Sequence, residues 1–213
     1  MNPESVRPKT LYRTDHARVM QTALQVLQHS GVRRLPIDLF AIVDFVPNLV
    51  CCPYSRLAEK NRLTVREVCA LLGSDFGAYA HNPSSSRHVI YYNDRTENTG
   101  LMRFTLAHEL GHFFLFHMHA KSGVPYAVLE SEVNFFARNL MAPVPLVDGI
   151  LHKELTPAEA VQVLMDRFGL SEEAAATRYK SLPHDRKVLR HLSKAPDLQA
   201  QFEEELKQGT KAS

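Results

Sequence analysis

With 213 residues, 45% of them hydrophobic, the chain is long enough to bury a sizeable core as one domain, or as one domain with a small appendage. Its 25 basic side chains nearly balance its 23 acidic ones, leaving a formal charge of +2, which gives no general reason to expect nucleic acid or an anionic membrane as partner. No apolar run is long enough to cross a membrane, the opening MNPESVRPKTLYRTDHARVM lacks the apolar core of a signal peptide, and three cysteines (Cys51, Cys52, Cys69) make no disulfide framework, so a cytoplasmic location is expected.

Val19, Ala23, Leu24 and Leu27 recur at helical spacing over residues 16–30, and Ser30-Gly31 ends that run. A short helix is expected after Pro36, with Leu39, Ile42 and Val43 facing inward. LVCCPYS then reads as a strand stopped by Pro53. Thr64 and Glu67 form a capping box ahead of VREVCALL, and Gly73 closes that helix. FGAYAH and RHVIYYND, joined by NPSSS, predict an antiparallel pair in a small sheet. Helices are expected from Gly100 to about His119 and from about Val128 to Met141, where Ala142-Pro143 intervenes. Two more follow, from Thr156 to about Phe168 and from Ser171 to about Leu182. The stretch from Pro183 onward reads as a solvated, fraying helix. The fold class is α+β with helices dominant, divided into residues 1–150 and a C-terminal helical hairpin with a charged tail at 151–213.

The chemistry is concentrated in TLAHELGHFFLFHMHA, residues 105–120. On a helix, His108 and His112 project from one face a turn apart, the separation two imidazoles need to share a tetrahedral zinc ion. Glu109 lies about 100° round the helix from His108, beside the metal rather than on it, where a general base belongs. Gly111 leaves room for a neighbouring element. His117, five positions past His112, falls roughly 140° off that face if the helix continues, and His119 lies about 10 Å further along it. Both are expected to be helix-end residues meeting solvent or the last carbonyls. The metzincin pattern is excluded, because Leu115 and Met118 stand where it needs a glycine and a histidine.

A third ligand is sought in VLESEVNFFARNLMAP. Glu130 and Asn134 share a helical face at i,i+4, so the glutamate could complete a His-His-Glu site and the asparagine could orient a ligand histidine. Glu132, about 200° round from Glu130, is the alternative, since only one of the two can face the metal. Tyr91 or Tyr92, just upstream, could stabilise an oxyanion.

RFTLAHELGHFFLFH followed by ESEVNFFARNLMAP resembles the ImmA/IrrE metallopeptidases, whose pattern is roughly F-T-L-A-H-E-L-G-H, then E-x-x-A-N-x-F-A, then L-L-M-P. FGAYAH and VIYYND upstream, and MDRFGLSEEAAATRYKSL downstream, extend the likeness over about residues 15–182. Val133 replaces the usual alanine, and Met141-Ala142-Pro143 departs from the L-L-M-P ending; neither change touches a ligand. The resemblance implies a gluzincin-like zincin: a small antiparallel sheet beside an HExxH helix and a second ligand-bearing helix. It makes His108, His112 and Glu130 zinc ligands and Glu109 the base. It further implies a cytoplasmic regulatory peptidase whose substrate is a helix-turn-helix repressor.

The competing reading keeps the fold without hydrolysis, as a repressor or antitoxin partner with a structural zinc, or as a DNA binder through residues 156–182. Glu172 and Glu173 sit at the start of the would-be recognition helix, where they would meet phosphates, so a packing hairpin is favoured over direct nucleic-acid binding.

Overall fold

The computed structural model describes residues 12–117, 123–152 and 154–209. Helix α1 (His16–Ser30) is N-capped by Asp15, ends at left-handed Gly31, and buries Val19, Ala23, Leu24 and Leu27. Helix α2 (Leu39–Phe45) turns Leu39, Ile42 and Val43 inward. Strand β1 (Leu49–Pro53) follows, then two helices, α3 (Tyr54–Asn61) and α4 (Val65–Leu72), the second carrying the expected Thr64–Glu67 capping box. Strands β2 (Gly77–Asn82) and β3 (Arg87–Tyr92) pair antiparallel, with Tyr79 opposite Ile90. β1 joins the other side of β3 in parallel, Cys51 opposite Ile90, giving a three-stranded mixed sheet of order β1-β3-β2. The central strand is therefore β3, and the edge nearest the long helices belongs to β2.

Helix α5 (Thr99–Phe114) packs across β2 and β3, α6 (Tyr126–Met141) lies along α5, and α1 lies along the far side of α6. The architecture is α+β, with the sheet, α5, α6 and α1 in succession. Gly111 permits the close approach of α5 and α6: a Cβ there would stand 3.1 Å from the Cβ of Val133 and 3.2 Å from Phe136 Cδ1. Gly77 does the same between β2 and α5, where a Cβ would meet the Thr105 methyl at 2.5 Å. These contacts set the depth at which α5 carries its polar residues.

Two helices appear where proline reads as a stop. Pro53 and Pro143 are N-caps, opening α3 and α7 (Val144–Ile150), because a residue fixed near φ −65° suits a helix start as well as it suits a strand end. Helices α8 (Pro157–Phe168) and α9 (Glu172–Arg190) form the expected hairpin across left-handed Gly169, but α9 runs eight residues past Leu182 with Pro183 inside it. Tertiary packing outweighs the hydrogen bond that Pro183 removes: Leu182 is buried, and Asp185 is fully buried among arginines. The expectation of a solvated tail is likewise corrected. Leu198 and Phe202, in and just after α10 (Leu198–Gln201), are fully buried against α7 and α1, with α11 (Glu203–Gly209) beyond. One hydrophobic cluster takes in α1, α5, α6, α8 and α9, so residues on both sides of position 150 share a core. A smaller one, Tyr54, Ala58 and Val68, lies under α3 and α4. Among the described residues no helix is long and apolar enough to cross a membrane.

Candidate active site

Along α5 the segment from Thr105 to Gly111 is almost wholly buried, and His108 and His112 leave it on one partly buried face. On α6, Tyr126, Glu130 and Asn134 recur every four residues, and Glu130 and Asn134 meet the two histidines. The two helices bring three donors together. His108 Nε2 and His112 Nε2 are 3.3 Å apart; Glu130 Oε2 is 3.5 Å from the first, and Glu130 Oε1 is 3.5 Å from the second. A tetrahedral zinc ion with arms of 2.0–2.2 Å separates its ligand atoms by about 3.3–3.5 Å. Glu130 Oε1 is buried without a hydrogen-bond donor, an arrangement that is costly in a protein interior unless a cation satisfies it. Burial, then the neighbouring His108 and His112's other neighbour His117, push the His112 imidazole down to about 4, so it presents a neutral nitrogen at pH 7. Among the described residues, His108, His112 and Glu130 form a group able to hold a metal ion. Asn134 Oδ1 accepts from His108 Nδ1 at 3.1 Å, which turns the bare Nε2 toward the donors.

Glu109 lies beside this cluster, 8% exposed, with its carboxyl toward the backbone N–H of Tyr79 on β2. Desolvation, and then the charge of Glu130, push its carboxyl up to about 7, against the pull of that N–H. Asn93 N–H donates to Phe76 O, so the carbonyls and N–H groups of Phe76, Ala78 and Ala80 face β3, while those of Gly77 and Tyr79 face outward. Glu109 therefore sits at the outer edge of the sheet. Next to Asn134, a cavity of about 510 Å³ opens between α5, α6 and the start of α9, with Leu101, Phe104, Met141, Leu170 and Ala174 among its walls.

Residues 68–180, more than half of the chain, match the family model of the IrrE N-terminal-like domain, Peptidase_M78. The chain belongs to that family. The match starts within α4, ends within α9 and takes in β2, β3, α5 and α6, hence every donor described above; α1 precedes it. The family is one of peptidases, and the His-His-Glu cluster gives this member a place for a metal. Among curated proteins, none matches the chain.

Several expected residues lie elsewhere. Glu132 faces α1 rather than the donors: its carboxylate takes Arg18 Nη2 at 2.6 Å, His117 Nε2 at 3.3 Å and the Asp15 N–H at 3.2 Å. His117 does not meet solvent. Helix α5 ends at Phe114, and Phe116 turns into the left-handed region at φ 57°, which folds a nearly buried His117 back onto His112 and Glu132. His119 lies outside the described residues. Tyr91 packs with the smaller cluster, on the opposite side of β3 from Ile90, and Tyr92 meets the Phe40 ring at 5.6 Å; the structure brings neither to the donors. Tyr126 is there instead. Its hydroxyl faces the Glu130 carboxylate, which, with burial and the charge of Glu109, raises its pKa. The i,i+4 relation of Tyr126 to Glu130 was visible in the sequence, but starting the helix at Val128 leaves it out.

Proposed function

We propose that the chain is a zinc-dependent endopeptidase in which His108, His112 and Glu130 hold the ion and Glu109 is the general base. The observation that carries this is the triangle of donor atoms at 3.3, 3.5 and 3.5 Å beside a buried carboxylate. Bound zinc supplies Lewis-acid chemistry, polarising the scissile carbonyl and lowering the pKa of water. Asn134 orients His108, so that a ligand ring need not be ordered during catalysis. Glu109, buried beside the donors, takes the proton of the attacking water and passes it to the leaving amine. Tyr126, mostly exposed and already in reach of Glu130, is placed to donate to the developing oxyanion.

The outward edge of β2 offers an extended substrate a strand to pair with, and Tyr79 puts that edge next to Glu109. The cavity beside Asn134 would receive an apolar substrate side chain. For the physiological substrate, the family resemblance favours a helix-turn-helix repressor cut in the cytoplasm. The test is digestion of a peptide library by the zinc-loaded protein. New amino termini are expected, are lost on chelation and return with added zinc. A library left intact by a protein that retains zinc would favour the non-hydrolytic binding module.

A further inference from the structure

On the side of His112 away from Glu130 runs a chain of hydrogen bonds that ends on α1, outside the segment matched by the family model. We infer that His117 and Glu132, anchored by Arg18, are positioning residues that fix which nitrogen of His112 faces the metal. The role rests on the assignment of His108, His112 and Glu130 as ligands.

Glu132 is 6% exposed and, ionised, can only accept. Arg18 Nη2 at 2.6 Å supplies the opposing charge, and the Asp15 N–H at 3.2 Å satisfies the other oxygen. His117 Nε2, at 3.3 Å from Glu132 Oε2, must therefore carry the hydrogen. In a neutral imidazole that leaves His117 Nδ1 bare, so it accepts from its neighbour at 3.2 Å, His112 Nδ1. His112 is thereby protonated on Nδ1 and bare on Nε2, the nitrogen that points at Glu130 and His108. Each assignment forces the next. The opposite tautomer would set two lone pairs against each other at 3.2 Å and place a proton at the metal position. Asn134 achieves for His108 in one step what Glu132 achieves for His112 in two. The left-handed turn at Phe116 has a purpose in this arrangement, since it returns His117 to the site instead of letting α5 run on.

The test compares zinc affinity, by competition with a chelating dye at neutral pH, in wild type, His117→Phe, His117→Gln and Arg18→Met. Long-range ¹⁵N NMR of the His112 ring is recorded alongside. Loss of such an outer partner weakens metal binding by roughly 10–100-fold, and that is expected for His117→Phe, with partial recovery in His117→Gln, whose amide can both accept and donate. The phenylalanine variant is also expected to lose the single His112 tautomer, a change that general loosening of the fold would not produce. Arg18 is half exposed, so Arg18→Met leaves the apolar packing in place and removes the charge that anchors Glu132; a loss of several-fold is expected. Zinc affinity within twofold of wild type in both His117→Phe and Arg18→Met, with the His112 tautomer kept, would overturn the role. A wild-type protein that binds no zinc would overturn the ligand assignment and this role with it.

Discussion

Glu109→Gln is expected to keep its zinc and to lower peptide cleavage by about 10²–10⁴-fold, the usual contribution of a positioned acid–base group. The amide preserves the size of the side chain and an oxygen for the Tyr79 N–H, so the edge of β2 and the α5 face remain in place. What it removes is the ability to take a proton. A second readout isolates the electrostatics. In the chelated protein the Glu109 carboxyl sits at about 7 against an ordinary value of 4.5, so the folded state favours its neutral form. That contribution is fully present below about pH 4.5 and is lost as pH rises through 7. The glutamine variant has nothing to lose over this window. After chelation it is expected to be the more stable protein at pH 8, by an amount on the order of 3 kcal/mol, with the advantage shrinking as pH falls toward 4.5. Urea unfolding at the two pH values measures it. Cleavage at the wild-type rate would place the base elsewhere.

Asp185→Ala is expected to cost about 3–5 kcal/mol, the scale for removing one partner of a buried ion pair. Asp185 is wholly buried, and burial alone would raise its carboxyl. Hydrogen bonds from Arg138 and His184, with the charge of Arg178, more than reverse this and hold it below the usual carboxylate range. Arg178, 1% exposed, donates Nη1 to Asp185 at 2.6 Å and Nε to the Ala142 carbonyl at 2.8 Å. Arg138 reaches the same carboxylate with Nε at 3.0 Å and Nη2 at 2.8 Å. Without Asp185, Arg178 is left as a buried cation with only neutral partners. Since a domain of this kind has only about 5–15 kcal/mol in hand, the variant should lie close to unfolding. Asp185→Asn, which keeps the shape but not the charge, should fall between. The effect is expected to reach the cavity beside Asn134, which Arg138 also lines. A loss below about 1 kcal/mol in urea unfolding would show that the network does not stabilise α9 against α6.

The features legible in the sequence are those that depend on near neighbours. The spacing of Val19, Ala23, Leu24 and Leu27 gave α1, Thr64 and Glu67 marked the start of α4, and the i,i+4 pairs His108/His112 and Glu130/Asn134 named the faces that meet. What was not legible depends on partners distant in the chain. Proline reads as punctuation in the sequence, but at Pro53 and Pro143 it opens helices, and at Pro183 burial of Leu182 and Asp185 carries α9 through. The angle expected for His117 holds only if the helix continues; α5 stops at Phe114, and one left-handed residue reverses the direction of that side chain. Glu132 faces away from the donors because Arg18, 114 positions earlier, holds it. The tail did carry a signal, Leu198, Phe202 and Leu206 at intervals of four, which its many charges obscured.

His108, His112 and Glu130 are proposed together to hold a catalytic zinc ion. The most direct test of this is the zinc content of purified wild type and of Glu130→Ala, measured after equal dialysis. Close to one zinc per wild-type chain is expected, with a large loss in the variant. Full zinc content in Glu130→Ala would contradict it.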